Sequence, residues 1–176
     1  PGGSLNPFAP LLKLAEMLFG DPTTGVGWWS GAGDERDRLQ DATGLTLGAL
    51  AEYGLGLVDT LVSAASVARR ARKNVTGRPA WWEALQESLR GALENRPKPA
   101  GPASQVVLFD ELVCSLAAIA REQPLLLLCD DLQWVDDASA AFLVHAVREL
   151  SGARLLIAGA YRPATVAMGR RDPASG

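Results

Sequence analysis

Residues 125–136 read Leu-Leu-Leu-Leu-Cys-Asp-Asp-Leu-Gln-Trp-Val-Asp. The unbroken apolar run Leu125–Cys129 is shorter than an ordinary helix and suits a strand covered on both faces. Pro124 ends whatever precedes it, and Asp130-Asp131 close it. Downstream, Phe142, Leu143, Val147 and Leu150 recur at helical spacing within 137–150, and Gly152 stops that helix. A second apolar run follows over 154–160, from Arg154 to Ala160. Strand, helix and strand, with both strands apolar on both faces, predict a βαβ unit in a buried parallel sheet, hence an α/β fold. Upstream, 104–121 reads as a helix capped by Ser104, with Leu108, Leu112, Leu116 and Ile119 turned inward.

A parallel strand delivers its C-terminal end to the ligand-binding edge of the sheet. Two acids at that end can divide a task. Asp130 can hold Mg²⁺ directly or through water. Asp131 can orient or deprotonate a water that attacks a γ-phosphate. That is the Walker B arrangement. The same residues also admit a structural reading, in which they cap the turn or the helix that follows.

The remaining sequence bounds these readings. A length of 176 residues is one domain's worth, and 48% apolar with 21% charged residues is globular composition. A net charge of −3 argues against a general nucleic-acid-binding surface. The two cysteines, Cys114 and Cys129, lie in apolar runs and read as small buried hydrophobes in a reducing compartment. No basic segment leads into an apolar one at the N-terminus, and no apolar run is long enough for a bilayer, so a cytoplasmic protein without membrane contact is expected. Pro1 in place of an initiator Met suggests a piece of something longer.

The front of the chain is helical. Residues 7–19 form a helix with Pro10 in its first turn and Leu11, Leu14, Met17 and Leu18 on one side. Residues 20–44 read as a loop, with at most a short helix at Asp34–Asp41. Across 45–73, Leu47, Leu50, Tyr53, Leu57, Val58, Leu61, Val62 and Ala65 form a stripe that Gly54 and Gly56 divide into two helices. Arg69, Arg70, Arg72, Lys73 and Arg78 read as a solvated, dipole-complementing helix end, with a docking surface as the alternative. Trp81, Leu85, Leu89 and Leu93 predict a helix over 80–94, and 96–102 is a Pro-rich linker. One Trp of each pair, Trp28-Trp29 and Trp81-Trp82, is expected to pack inward, and Trp134 to pack under the site loop. His145, the single histidine, has no evident cluster for metal or triad chemistry. The chain divides into a helical segment, 1–100, and the strand-bearing part, 101–176.

Leu125–Arg162 resembles the second half of the ATPase module of AAA-like, STAND-class P-loop ATPases in large bacterial multidomain regulators. These include LuxR-type regulators and relatives with adenylate-cyclase or kinase domains. That family's form is a Leu run, Asp-Asp-Leu, His or Gln, Trp, Ala, Asp, and then a strand ending Gly-Thr-Tyr-Arg-Pro. This chain has Asp130-Asp131-Leu132-Gln133-Trp134-Val135-Asp136 and Gly159-Ala160-Tyr161-Arg162-Pro163. The resemblance is sharp after the linker and loose before it. It implies a partial P-loop NTPase sheet with a mainly helical insert. It also implies ATP and Mg²⁺ as ligands, Asp131 as the catalytic residue, Asp130 as the Mg²⁺ ligand and Arg162 as the γ-phosphate sensor. A nucleotide-dependent switch in signalling or transcription regulation would follow, with other domains of the parent chain as partners and oligomerisation of the parent left open.

One departure is plain. No Gly-x-x-x-x-Gly-Lys-Ser/Thr occurs anywhere in the sequence, so nothing here cradles phosphates in the Walker A manner. Pro7-Phe8-Ala9-Pro10 looks like the family helix that follows the phosphate loop, which is then expected upstream of residue 1. This chain alone is expected to hydrolyse little or no ATP. The strand at 154–160 is expected to keep an open apolar edge and to limit solubility. The competing reading is a non-enzymatic helical interaction module, or an ATPase remnant, that docks through its Trp pairs and basic helix.

Overall fold

The computed structural model describes residues 9–21, 33–75, 77, 79–94 and 102–163. The linker at 96–101, Trp28-Trp29 and Arg78 lie outside them. The described chain is mainly helical, with one small parallel sheet.

Helix α1 (Ala9–Phe19) buries Leu11, Leu14, Ala15 and Phe19. Helix α2 (Gly33–Tyr53) corrects the expectation over 33–44, where a short helix at Asp34–Asp41 is the most expected, and 22–32 lie outside the described residues. It runs unbroken from Gly33 and carries Gly44 and Gly48 inside it. Helix propensity is a weak prior beside packing, and Gly48 shows why. A Cβ there would meet the Trp81 indole at 3.1 Å, so the missing side chain lets the ring lie against the helix.

The break at Gly54 stands as the glycine spacing predicted. A Cβ on Gly54 would come 2.8 Å from Ser115 Oγ and 3.0 Å from Leu57. A 3-10 turn, Leu55–Leu57, follows. Asp59 sits in the left-handed region at φ 61 and accepts from Ala64 N at 2.8 Å, which caps helix α3 (Ala64–Asn74) from five residues away. Ala64, not Ala65, faces inward, because the break shifts the phase of the stripe.

The basic end of α3 is not uniformly solvated. Arg70 is 4% exposed and Asp21 is 2% exposed. Arg70 donates to Leu18 O at 2.6 Å, Gly20 O at 3.3 Å and Thr43 Oγ1 at 3.4 Å. It thereby satisfies carbonyls that α1 leaves open at its C-terminus. Asp21 also pairs with Lys73 at 3.0 Å and Arg69 at 3.7 Å, and its amide donates to Ser66 Oγ at 2.7 Å. Burial lowers the Arg70 pKa to about 10, with Asp21 working against it, so the guanidinium stays charged at neutral pH.

Helix α4 (Trp82–Glu94) buries Leu85 and Leu89. Trp81 and Trp82 are both half-buried, edge to face at 6.1 Å. Helix α5 (Pro102–Glu122) begins two residues before Ser104, so Ser104 lies in its first turn instead of capping it. Proline at the first helical position loses no hydrogen bond. Leu108, Leu112, Leu116 and Ile119 are buried as their spacing predicted, whereas Cys114 is exposed.

Strand β1 (Leu125–Cys129), helix α6 (Asp137–Glu149) and strand β2 (Leu155–Gly159) form the expected βαβ unit. The strands pair in parallel from Leu125↔Leu155 to Cys129↔Gly159. Leu125, Leu127 and Leu155 pack on the core, where Phe109 of α5 meets Phe142 of α6 at 5.4 Å. The other face is open among the described residues, which corrects the expectation of burial on both faces. Leu126, Leu128 and Leu156 are 60%, 71% and 63% exposed. On α6, Ala146 takes the inward position expected for Val147, which is exposed. No helix among the described residues is long and apolar enough to cross a membrane.

Candidate functional site

The site grows from the C-terminal ends of the two strands. Ala160 N donates to Cys129 O at 2.9 Å, and Leu132 N donates to Ala160 O at 2.9 Å, so the two tips are laced together beyond the ladder. Asp130 and Asp131 emerge at that edge, both exposed. Asp131 adopts φ 54, ψ 41, the left-handed region that Asp and Asn tolerate among non-glycine residues. This turn reverses the chain into a 3-10 turn, Leu132–Trp134. Asp130 Oδ1 accepts from Asp131 N at 2.8 Å. Leu132 packs where a Gly159 Cβ would stand.

Arg162 lies at the end of the neighbouring strand, as its position in the sequence implied. Its Nε is 3.9 Å from Asp131 Oδ1, with the two side chains 77% and 54% exposed. In water at that separation the pair contributes little to stability. Its consequence is placement: one cation and two carboxylates share one sheet edge. Gln133 joins them. Its Nε2 donates to Asp131 Oδ1 at 2.7 Å, and its Oε1 accepts from Arg162 N at 3.0 Å.

The cap of α6 is a different acid. Asp136 accepts from Ser139 N at 2.9 Å and from Ser139 Oγ at 2.7 Å. The helix-capping form of the structural reading is thus fulfilled by Asp136, while Asp130 closes only the turn at its own peptide.

A groove of about 380 Å³ opens beside the acids. Its walls come from α1 (Lys13, Leu14, Met17), the end of β1, the 3-10 turn and α6 (Phe142, Leu143), and Asp130 and Asp131 are its acidic lining. Trp134 lines this groove and is 68% exposed, so it does not pack beneath the loop as expected. The single turn of 3-10 helix points it outward.

The donor set can be weighed against Mg²⁺ and ATP. Mg²⁺ is usually held by one or two carboxylates, with waters and phosphate oxygens completing its shell. Asp130 and Asp131 fit that demand. Among the described residues no group of three or more His, Cys, Asp or Glu could hold a metal alone. A phosphate cradle is not supplied by this sequence, which lacks the Gly-rich Lys-Ser/Thr loop. Burial pushes the Cys129 thiol up, away from thiolate chemistry.

His145 stands apart from the site. Its Nε2 lies 2.8 Å from Asp110 Oδ1 and its ring leans on Phe109, so it ties α6 to α5. A second cavity, of about 310 Å³, lies between α2, Trp81 and the end of α5. It is lined by Glu52, Tyr53, Arg121 and Glu122. A hydrogen bond with Glu52 raises the Tyr53 pKa, and Arg121 opposes it.

In the sequence Gln133 reads only as part of the motif and Arg70 reads with its basic neighbours as solvated, whereas Arg70 is buried. Gln133 carried a signal in its side chain, which can donate and accept at once beside an acid. Arg70 carried none, since one buried arginine in a basic run looks like its neighbours. No family model matches this chain, and neither a curated protein nor a solved structure matches it.

Proposed function

We propose that this chain forms the Walker B and sensor part of an ATP-dependent switch, whose phosphate loop another segment supplies. One observation carries the reading. A parallel βαβ unit brings Asp130, Asp131 and Arg162 to one edge, with Arg162 Nε 3.9 Å from Asp131 Oδ1. In this role Asp130 holds Mg²⁺, Asp131 orients the attacking water, and Arg162 faces the γ-phosphate and registers its loss. The bound Mg²⁺–ATP supplies the phosphoryl chemistry, and the protein groups position it.

The test uses the full natural polypeptide and its Asp131→Asn variant. Asn tolerates the left-handed backbone, so the substitution removes charge without adding strain. ATP affinity is expected to stay within about threefold while turnover falls by about 10²–10⁴-fold. Unchanged turnover would remove Asp131 from the mechanism. Failure of the wild-type polypeptide to bind ATP would favour a docking module, and the exposed Leu126–Leu128–Leu156 face supports that second reading.

A further inference from the structure

We infer that Gln133 is a positioning residue, a latch that couples the state of Asp131 to the loop carrying Arg162. Its chemistry leaves one arrangement. A carboxylate only accepts, and a backbone N–H only donates. The amide must therefore turn Nε2 to Asp131 Oδ1, at 2.7 Å, and Oε1 to Arg162 N, at 3.0 Å. The amide orientation, commonly ambiguous, is settled here by its two partners.

The span works because the strand tips are held in register. Leu132 N to Ala160 O and Ala160 N to Cys129 O, both 2.9 Å, fix the loop ends that Gln133 then bridges. The amide's two bonds run to two different tips, so a shift of one tip relative to the other strains at least one of them. An anion that shifts the Arg162 loop, and not its side chain alone, draws on the Arg162 peptide and so on Gln133. Release of the Gln133 amide then removes one donor from Asp131 Oδ1, and a water takes that place. Occupancy at Arg162 thus sets which hydrogen bonds Asp131 makes. The transmission rests on the proposed nucleotide site, whereas the latch itself does not.

Two readouts on the full polypeptide separate these claims. The first is hydrogen exchange over 160–163, without nucleotide. Gln133→Ala removes an amide bond and is expected to speed exchange at Arg162 by about three- to tenfold. Gln133→Glu still offers an acceptor to Arg162 N but sets a second carboxylate against Asp131, so its exchange is expected to fall between wild type and Gln133→Ala. The second readout is the ratio of ATP to ADP affinity. Both variants are expected to lose most of the wild-type preference for ATP, with the thermal midpoint unchanged. Gln133→His, whose neutral ring has one donor and one acceptor, is expected to recover part of it.

Wild-type exchange in Gln133→Ala overturns the latch. An ATP preference unaltered in both Gln133→Ala and Gln133→Glu overturns the coupling. A wild-type polypeptide that binds neither nucleotide removes the proposed function, and the exchange result then stands or falls alone.

Discussion

Arg70→Met tests how the helical part is held together. The native guanidinium is 4% exposed and donates to Leu18 O, Gly20 O and Thr43 Oγ1, while Asp21 stands beside it at 2% exposure. Methionine fills a similar volume but donates nothing. Two carbonyls and a hydroxyl then lose a donor, and the Lys73 and Arg69 side chains that pair with Asp21 are 51% and 48% exposed. Removing one partner of a buried charged network costs about 3–5 kcal/mol. At this chain length each kcal/mol moves the midpoint by about 2–4 °C, so Tm should fall by roughly 6–20 °C. Urea and thermal unfolding followed by circular dichroism at pH 7 would read it. Arg70→Lys keeps the charge without the planar fork and should fall between the two. A loss under about 1 kcal/mol in Arg70→Met would refute the reasoning, since replacement by a well-packed apolar residue is the case in which a buried charge proves dispensable.

Three further outcomes follow from the packing. Burial holds the Glu111 carboxyl above its ordinary value of 4.5, more strongly than the Gly56 and Leu57 amides pull it down, and its Oε2 has no hydrogen-bond partner. The folded state therefore binds that proton more tightly than the unfolded chain. Stability from this group is full below pH 4.5 and is lost as pH rises through the raised pKa. Glu111→Gln should flatten that stretch of the stability–pH curve in urea titrations, and an unchanged slope would contradict the assignment. Gly159→Ala should cost about 1–3 kcal/mol by displacing Leu132 from the strand tip, and a neutral variant would show that the turn yields freely. Replacing Leu126, Leu128 and Leu156 together by threonine should raise the solubility limit and lower dye binding while each change alters stability by less than about 0.5 kcal/mol. Solubility that does not move would show that this face is not what limits it.

Apolar spacing made much of this fold legible, and its failures have a shared cause. Leu108, Leu112, Leu116 and Ile119 were placed correctly, and so were both strands, because burial selects residues along one face. Lengths were less legible. Helix α2 begins in the polar stretch Gly33–Asp41, where no stripe marks it, and Gly48 is compensated by Trp81, in the turn before α4. The open sheet face was misread for a different reason. Leu126, Leu128 and Leu156 carry the composition of a covered strand, and composition does not report whether a covering layer is present. At the candidate site, strand order leads to Asp130 and Asp131, the family resemblance leads to Arg162, and the three stand on one edge. The bridge through Gln133 needed the turn geometry, since residues two and twenty-nine positions away from it meet only in three dimensions.

Asp131 has one last consequence. Its backbone stands at φ 54, where most side chains cost about 1–2 kcal/mol and only Gly, Asn and Asp are at ease. Of those three, only Asp brings a negative charge. The turn restricts the position to these three types, and the proposed function would narrow it to Asp. Under that reading the turn and the charge come apart at one substitution. Asparagine keeps the turn and discards the charge, whereas alanine discards both. An alanine scan across 130–136 would mix the turn's cost with the chemistry, and the difference between the Ala and Asn variants measures the turn together with the bond that Gln133 donates.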